Sequence, residues 1–238
     1  MSRDAVRSAL LAAAAVTRAC GPAPARDRPA EPRADVSTKP VVEQIRTYTP
    51  GDELPEEMPE LKPERVSVTA CDFWCKPVLS YRVRSTTQTA DGCRAVVDIA
   101  SIELELELAM TTWLPDGANR RHKAHEAGHR KICRRVADRA TETARDGIRA
   151  AAREPLTGSG ATCDEAVEDA SRRQATLRFC APYTADSGRE ARRVAAYYEF
   201  ILRENPRSAG SQAAAIRAAF RAYRREQEQR RDEQRDEK

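Results

Sequence analysis

Residues 102–110 alternate between two kinds of side chain with a period of two. Alternate positions are apolar and the positions between them are acidic: Ile102, Leu104, Leu106, Leu108 and Met110, against Glu103, Glu105 and Glu107. Leucine and glutamate favour helices by propensity, but a helix would scatter these leucines around its circumference. The period therefore predicts a strand with one apolar face, which a second layer of structure must cover.

A helical period follows this strand. The turn residues LPDG at 114–117 end the strand, and from about residue 119 to residue 152 apolar or histidine side chains recur every three or four positions. These positions are His125, His129, Ile132, Val136, Ala140, Ala144 and Ile148. The pattern predicts one long helix that turns two histidines toward the core.

Weaker patterns flank these two elements. Alternation at residues 65–70 and 78–85 indicates two further strands, and helical patterns cover about 162–180, 188–203 and 213 onward. We therefore expect an α+β fold. In this fold a small antiparallel sheet packs on the long helix, with further helices C-terminal to it.

Composition divides the chain into four parts. Residues 1–20 have the features of an export signal, and residues 21–64 contain nine prolines and few large apolar residues, which predicts a disordered spacer. The strand and helix patterns fall within residues 65–205, which we expect to form the folded domain. Residues 206–238 are expected to form a charged helix whose end has no apolar face.

The N-terminus resembles a secretory signal peptide. Arg3 and Arg7 precede a short apolar run at residues 9–16, and small residues follow. The run is too short to span a bilayer. Cleavage before Cys20 would make this cysteine a lipid anchor, although Arg18 departs from the usual lipoprotein signal. We expect export to the periplasm or the exterior, with Cys20 as the single link to a membrane.

The cysteines agree with export. Without Cys20 six remain, and an even number in an exported chain predicts up to three disulfides. Fifteen pairings are open, and sequence does not select among them. Cys71 and Cys75 could instead form a metal-binding pair, but the chain has no second pair of this kind to complete a four-cysteine zinc site.

Charge limits the expected partners. Charged residues make up 33% of the chain, but acids and bases are mixed and the net charge is only +4. Nucleic-acid binding needs a clustered basic face, so it is not expected. The expected partner is a peptide or protein substrate, and the oligomeric state is left open.

All three histidines of the chain lie within residues 122–129, and His125, Glu126 and His129 form an H-E-x-x-H motif. Residues i and i+4 of a helix lie on one face about 6 Å apart along the axis, so two imidazoles can converge on one zinc ion. Glu126 could then take a proton from water activated by that ion. Gly128, inside the motif, costs about 1 kcal/mol relative to alanine and is tolerated where another backbone or a substrate passes close.

A third metal ligand must come from outside the H-E-x-x-H motif. His122 leans away from the other two histidines along the helix, so we expect it at the rim of a cleft rather than on the metal. No other histidine remains, which leaves a carboxylate. The next predicted helix offers Glu165 and Asp169, with Asp164 and Glu168 as competitors.

The chain resembles two groups of metalloproteases. Residues 66–152 resemble a bacterial family of predicted secreted Zn-dependent proteases, most specifically where TTWLP is followed by HEAGH, although the later His-Gly segment of that family is missing. The resemblance implies that His125 and His129 bind zinc and that Glu126 is the catalytic acid/base. In the gluzincin type, a Glu-x-x-x-Asp pair on a second helix supplies the third ligand and a residue that orients it. By this resemblance Glu165 would bind the metal and Asp169 would support the site.

These observations predict an exported zinc metallopeptidase of zincin-like fold, in which water activated by Zn²⁺ attacks a peptide bond. An extended substrate could add to the edge of the strand at residues 102–112. The alternative is an envelope protein that keeps such a scaffold as a binding or structural module without catalysis.

Overall fold

The computed structural model describes residues 31–59, 66–204 and 211–236. The predicted signal peptide and Cys20 lie outside these residues. The strands are β1 (Arg33–Thr38), β2 (Val42–Tyr48), β3 (Val68–Thr89), β4 (Gly92–Pro115) and β5 (Leu156–Gly160). The helices are α1 (Arg120–Ala152), α2 (Cys163–Glu168), α3 (Ser187–Glu204) and α4 (Gln212–Asp236). The architecture is therefore mixed α and β.

The five strands form one mixed sheet around β4. Strand β3 pairs with β4 antiparallel along almost its whole length, whereas β1, β2 and β5 lie along the other edge of β4. Of these three, β1 and β2 run parallel to β4 and β5 runs antiparallel. The expected antiparallel sheet is thus corrected to a mixed one, because β1 and β2 come from the segment that we predicted to be a spacer.

This topology also decides which edge is open. Both edges of β4 are paired, so no extended substrate can add to residues 102–112 as we expected. Among the described strands, none pairs with the outer edge of β3. The open edge next to the long helix therefore belongs to β3.

The period-two prediction for β4 is confirmed. Its five alternate apolar side chains, from Ile102 to Met110, are each at most 3% exposed, whereas Glu103 is exposed and Glu105 and Glu107 are partly exposed. The apolar face packs against α1 and the helices that follow it. Hydrophobic burial therefore outweighs the helix propensity of leucine and glutamate here.

The long helix is also confirmed. Helix α1 begins after Asn119, whose side chain accepts a hydrogen bond from the backbone N–H of His122 and caps the first turn. The buried residues of α1 include His129, Ile132 and Val136, which face the strands and α3. The helix thus carries the H-E-x-x-H motif in its second and third turns, against the core.

The later helical patterns join into one run. Between α2 and α3 the chain stays helical through π-helical stretches at Asp169–Gln174, Thr176–Cys180 and Pro182–Asp186, so the expected break near residues 181–187 does not occur. The first half of α4 packs into the core through four buried residues: Ala215, Ile216, Ala219 and Phe220. The domain predicted to end at residue 205 therefore leaves out α4, a helix that packs into the same core.

The predicted spacer is only partly correct. Residues 33–38 and 42–48 form β1 and β2, and Val36 enters the core. Most side chains of these two strands are exposed, so the strands bury no apolar face. They are held mainly by backbone hydrogen bonds to β4. A spacer predicted from composition alone misses strands of this kind.

Three disulfides join the sheet to the helices. Cys71 pairs with Cys133, Cys75 with Cys180, and Cys93 with Cys163. The expected number of three is confirmed, and Cys71 and Cys75 are not a metal-binding pair. Three disulfides are typical of chains that fold in an oxidising, extracellular compartment. Across the described residues, we find no helix with the length and hydropathy needed to cross a membrane.

Candidate metal centre

His125 and His129 converge as the motif predicts. Their Nε2 atoms lie 3.2 Å apart, and their ring centroids are 4.9 Å apart. His129 is buried and His125 is half-buried, so the pair sits at the boundary between core and solvent. One turn of α1 thus presents two nitrogen donors to the same point.

The third donor is Glu199 of α3. Its Oε1 atom lies 3.1 Å from Nε2 of His125 and 2.9 Å from Nε2 of His129. Within the described part of the chain, these three residues are the group of ligand-type side chains that could hold a metal ion. Two nitrogens and one carboxylate oxygen therefore form a nearly equilateral triangle.

The triangle fits a zinc-sized ion. Ligands about 2.0–2.1 Å from a tetrahedral zinc ion lie about 3.3–3.4 Å apart, close to the separations seen here. A two-histidine, one-carboxylate set is also a donor set found at catalytic zinc sites that leave the fourth position open. Without an ion, both imidazoles would have to donate their Nε2–H groups to the same carboxylate oxygen. The donor set thus suits a metal ion.

Electrostatics keep Glu199 ionised. Burial raises the pKa of the Glu199 carboxyl group. The hydrogen bonds from His125 and His129 lower it by more, so the pKa of Glu199 lies well below its usual range. An ionised carboxylate is the form that a metal site needs. The neighbouring Tyr198 shows the opposite effect, because burial raises the pKa of its phenol and keeps it neutral.

Tyr198 explains the glycine inside the motif. Its ring stacks on His125 at 5.7 Å between centroids and meets His129 edge-on at 5.3 Å. A Cβ atom at Gly128 would clash with the hydroxyl oxygen of Tyr198. Close approach was expected at Gly128, and the group that approaches is this side chain rather than a backbone or a substrate.

Glu126 is held by two hydroxyl groups. Ser67 Oγ donates to its Oε1 at 2.6 Å, and Thr69 Oγ1 donates to its Oε2 at 2.6 Å. Glu126 is 1% exposed, but it lines a cavity together with His129. Each carboxylate oxygen can accept more than one hydrogen bond, so both keep capacity for a water molecule or a substrate.

A chain of polar groups extends behind Glu126. Thr69 and Thr112 contact each other through their hydroxyl groups at 3.1 Å, and Arg130 donates to Thr112 at 3.2 Å. Because Thr69 uses its own proton on Glu126, Thr112 donates to Thr69 and accepts from Arg130. The chain thus fixes the hydroxyl orientations and links Glu126 to a positive charge.

The cavity beside the site has a volume of about 520 Å³. Residues 68–72 of β3 form one wall, and small residues of α3, among them Ala191 and Ala195, form another. The disulfide between Cys71 and Cys133 joins the β3 wall to α1 one turn after His129. Strand β3 is therefore fastened beside the histidines.

The structure does not bring Glu165 and Asp169 to this site. Glu165 completes a capping box with Thr162 at the start of α2, and its Oε2 accepts from the backbone N–H of Ala161. Asp169 Oδ2 accepts from the backbone N–H of Ser159. The structure therefore places Glu199, and not Glu165, beside the two histidines. Asp169 thus contacts strand β5 rather than the metal donors, and the competing Asp164 and Glu168 belong to the short helix α2.

One further histidine and two tyrosines have different roles. His122 is not part of the donor group, consistent with its expected place outside the site. Of the tyrosines, Tyr183 packs against Phe73, and the hydroxyl group of Tyr197 bonds to Glu226 on α4. Tyr198 is the tyrosine that contacts the histidines.

Sequence reasoning missed Glu199, although one signal was present. It is the only charged residue in the apolar run VAAYYEFIL at residues 194–202. A carboxylate in such a run needs a partner when the helix is buried. Its partners could not be identified from the motif, because they lie 70 and 74 residues earlier.

No family model, no curated protein and no solved structure matches this chain.

Proposed function

We propose that the protein is an exported, zincin-like zinc metallopeptidase that hydrolyses peptide bonds. The observation that carries this proposal is the convergence of His125, His129 and Glu199 to within 3.2 Å of one another, with Glu126 between the two histidines in sequence. A donor set of this kind, next to a buried carboxylate and an open cavity, suits hydrolysis of an amide.

In this proposal the residues have separate roles. His125, His129 and Glu199 hold the zinc ion, which when bound would supply Lewis-acid activation of water and of a substrate carbonyl. Glu126 takes a proton from the attacking water and passes it to the leaving amine. Ser67 and Thr69 keep the Glu126 carboxylate in one orientation.

The cavity suits an extended peptide. Successive side chains of a strand point to opposite faces, yet five consecutive residues, 68–72, line this one cavity. What these residues share is the backbone along the open edge of β3. A peptide could add to this edge through main-chain hydrogen bonds, with its carbonyl groups passing the three donors.

Export also belongs to the proposal. The N-terminal signal predicted from sequence and the three disulfides agree with a periplasmic or secreted protein. We propose that processing removes residues 1–19 and that Cys20, as the new N-terminus, carries a lipid.

A second candidate is a metal-holding module without catalysis. The observation that favours it is the burial of Glu126, with both of its oxygens engaged by hydroxyl groups. In that case Glu126 would serve to fasten β3 to α1, and the cavity would bind a partner rather than a substrate.

Glu126→Gln separates these two candidates. We expect this variant to keep zinc at wild-type stoichiometry and to lose peptide cleavage by at least about 100-fold, because general acid–base catalysis contributes about 10²–10⁴-fold. Cleavage of a mixed peptide pool by the zinc-loaded wild type, with removal by a chelator and recovery on adding zinc, is the reference. If zinc-loaded wild type cleaves nothing, the second candidate stands; if Glu126→Gln still cleaves, the role of Glu126 is wrong.

A further inference from the structure

Arg192 of α3 lines the cavity without a partner. The neighbouring arginines are paired, Arg189 with Asp186 and Arg193 with Glu226. Among the described residues, we find no hydrogen bond or ion pair to Arg192, and its side chain is exposed. A cationic group with free donors therefore faces the same cavity as Glu126 and His129.

Helix geometry places Arg192 in line with the metal donors. Seven residues separate it from Glu199, which is almost two full turns, so the two residues lie on the same face of α3 about 10 Å apart along the axis. Ala195 and Ala196 lie between them and also line the cavity. Their small side chains line the same cavity as His129 and Arg192.

From this arrangement we propose that the cavity selects peptides that carry a carboxylate about three residues from the scissile bond, and that Arg192 binds this carboxylate. An extended peptide advances about 3.3 Å per residue, so three residues span the distance from Glu199 to Arg192. Guanidinium groups bind carboxylates through paired, charge-assisted hydrogen bonds. The carboxylate is an acidic side chain or the free C-terminus of the peptide.

This inference rests on the proposed peptidase function, and positional peptide pools test it. Each pool has a matched glutamate or glutamine at one position on either side of the cleavage site, and a parallel set compares a free with an amidated C-terminus. We expect the zinc-loaded wild type to prefer one carboxylate position by about 1.5- to fivefold in kcat/KM, the range for an exposed ion pair. The side-chain and C-terminal arms identify which source of carboxylate is used.

The variants assign the preference to Arg192. Arg192→Gln is expected to remove the preference mainly through KM, and Arg192→Lys to keep part of it. Arg189→Gln makes the same chemical change on the same helix outside the cavity, and should leave the preference intact. Equal cleavage of matched pools by the wild type, or a preference that survives Arg192→Gln, would overturn the inference while leaving hydrolysis in place.

A binding assay keeps the test decisive if no pool is cleaved, a result that would defeat the proposed hydrolysis. Labelled matched pools are then titrated against the zinc-loaded wild type, Arg192→Gln and Arg189→Gln. Tighter binding of carboxylate-bearing pools that is lost only in Arg192→Gln supports carboxylate selection by this cavity. Equal binding of matched pools contradicts it.

Discussion

Glu165 and Glu199 show how local environment separates two glutamates that look alike in sequence. Glu165 is the third residue after Thr162, and its carboxylate accepts hydrogen bonds from backbone N–H groups at the start of α2. Glu199 lies in an apolar stretch of α3 and meets two imidazoles instead. The Thr-x-x-Glu spacing of a capping box is readable from sequence, and it favours a structural role for Glu165.

Substitution of these two glutamates tests the ligand set. We expect Glu199→Gln to weaken zinc binding by more than the roughly 10- to 100-fold that follows loss of an outer hydrogen-bond partner, because it removes a charged ligand. Glu165→Gln is the matched control and should bind zinc like the wild type. Zinc affinity measured by competition with a chelator decides between them, and the reverse order of effects would restore Glu165 as the ligand.

At the residue scale, the sequence defined half of the site. Neighbouring turns of a helix bring His125 and His129 together whatever surrounds them, so their pairing could be predicted. The position of Glu199 depends on how α3 packs against α1. That packing is decided by residues distant in sequence, such as Val194, Tyr198 and Ile132, which share one buried cluster. No local pattern carries that information.

At the element scale, prediction succeeded where one face of an element is buried. In β4 and α1 the buried face consists of apolar residues at regular spacing, so the sequence alone shows the pattern. Strands β1 and β2 have no such apolar pattern, because they are held mainly by backbone hydrogen bonds to β4. The same strands make the sheet mixed, so the error in the spacer and the error in the sheet have one cause.

The glycines of α1 test the packing of this helix on α3. Gly128→Ala places a Cβ atom against the Tyr198 ring, and overpacking of this kind costs about 1–3 kcal/mol of stability. Gly147→Ala, on the same helix, meets no atom within 4 Å and should stabilise by about 0.4–1 kcal/mol through its better helix propensity.

Urea denaturation of both alanine variants measures these effects. Opposite signs at the two positions are expected. A neutral or stabilising Gly128→Ala would mean that Tyr198 does not pack against the motif, and zinc affinity of the same variant would then be unchanged.

At the scale of the whole molecule, the disulfides join the same sheet and helices that pack in the core. The three bridges close loops with sequence separations of 62, 105 and 70 residues, and each joins the β3–β4 hairpin to a helical segment. The number of bridges could be predicted from six cysteines, but the pairing follows only from the packing of the sheet on the helices. The bridge between Cys75 and Cys180 lies in the core cluster that also contains Tyr183.

Tyr183 links the pH dependence of stability to this core. Burial, with the negative charges of Asp138 and Glu107, raises the pKa of its phenol to about 12. The phenol of an unfolded chain titrates near about 10, so the unfolded state releases this proton first as the pH rises. The contribution of Tyr183 is therefore fully present below pH 10 and is lost progressively as the pH rises from about 10 to about 12.

Comparison with Tyr183→Phe isolates this effect. Unfolding free energies of the wild type and Tyr183→Phe are measured in urea at pH 8, 10 and 11. Above pH 10 the wild type should lose stability relative to Tyr183→Phe. A difference that stays constant over this range would show that the phenol is not more strongly protonated in the folded protein.

The most direct measurement of the central claim is anomalous diffraction at the zinc absorption edge from crystals of the zinc-loaded chain. We expect one peak about 2.0–2.1 Å from both Nε2 atoms of His125 and His129 and at bonding distance from the carboxylate of Glu199. A map with no peak among these three residues, or with the zinc bound elsewhere on the chain, would contradict the metal site and the activity built on it.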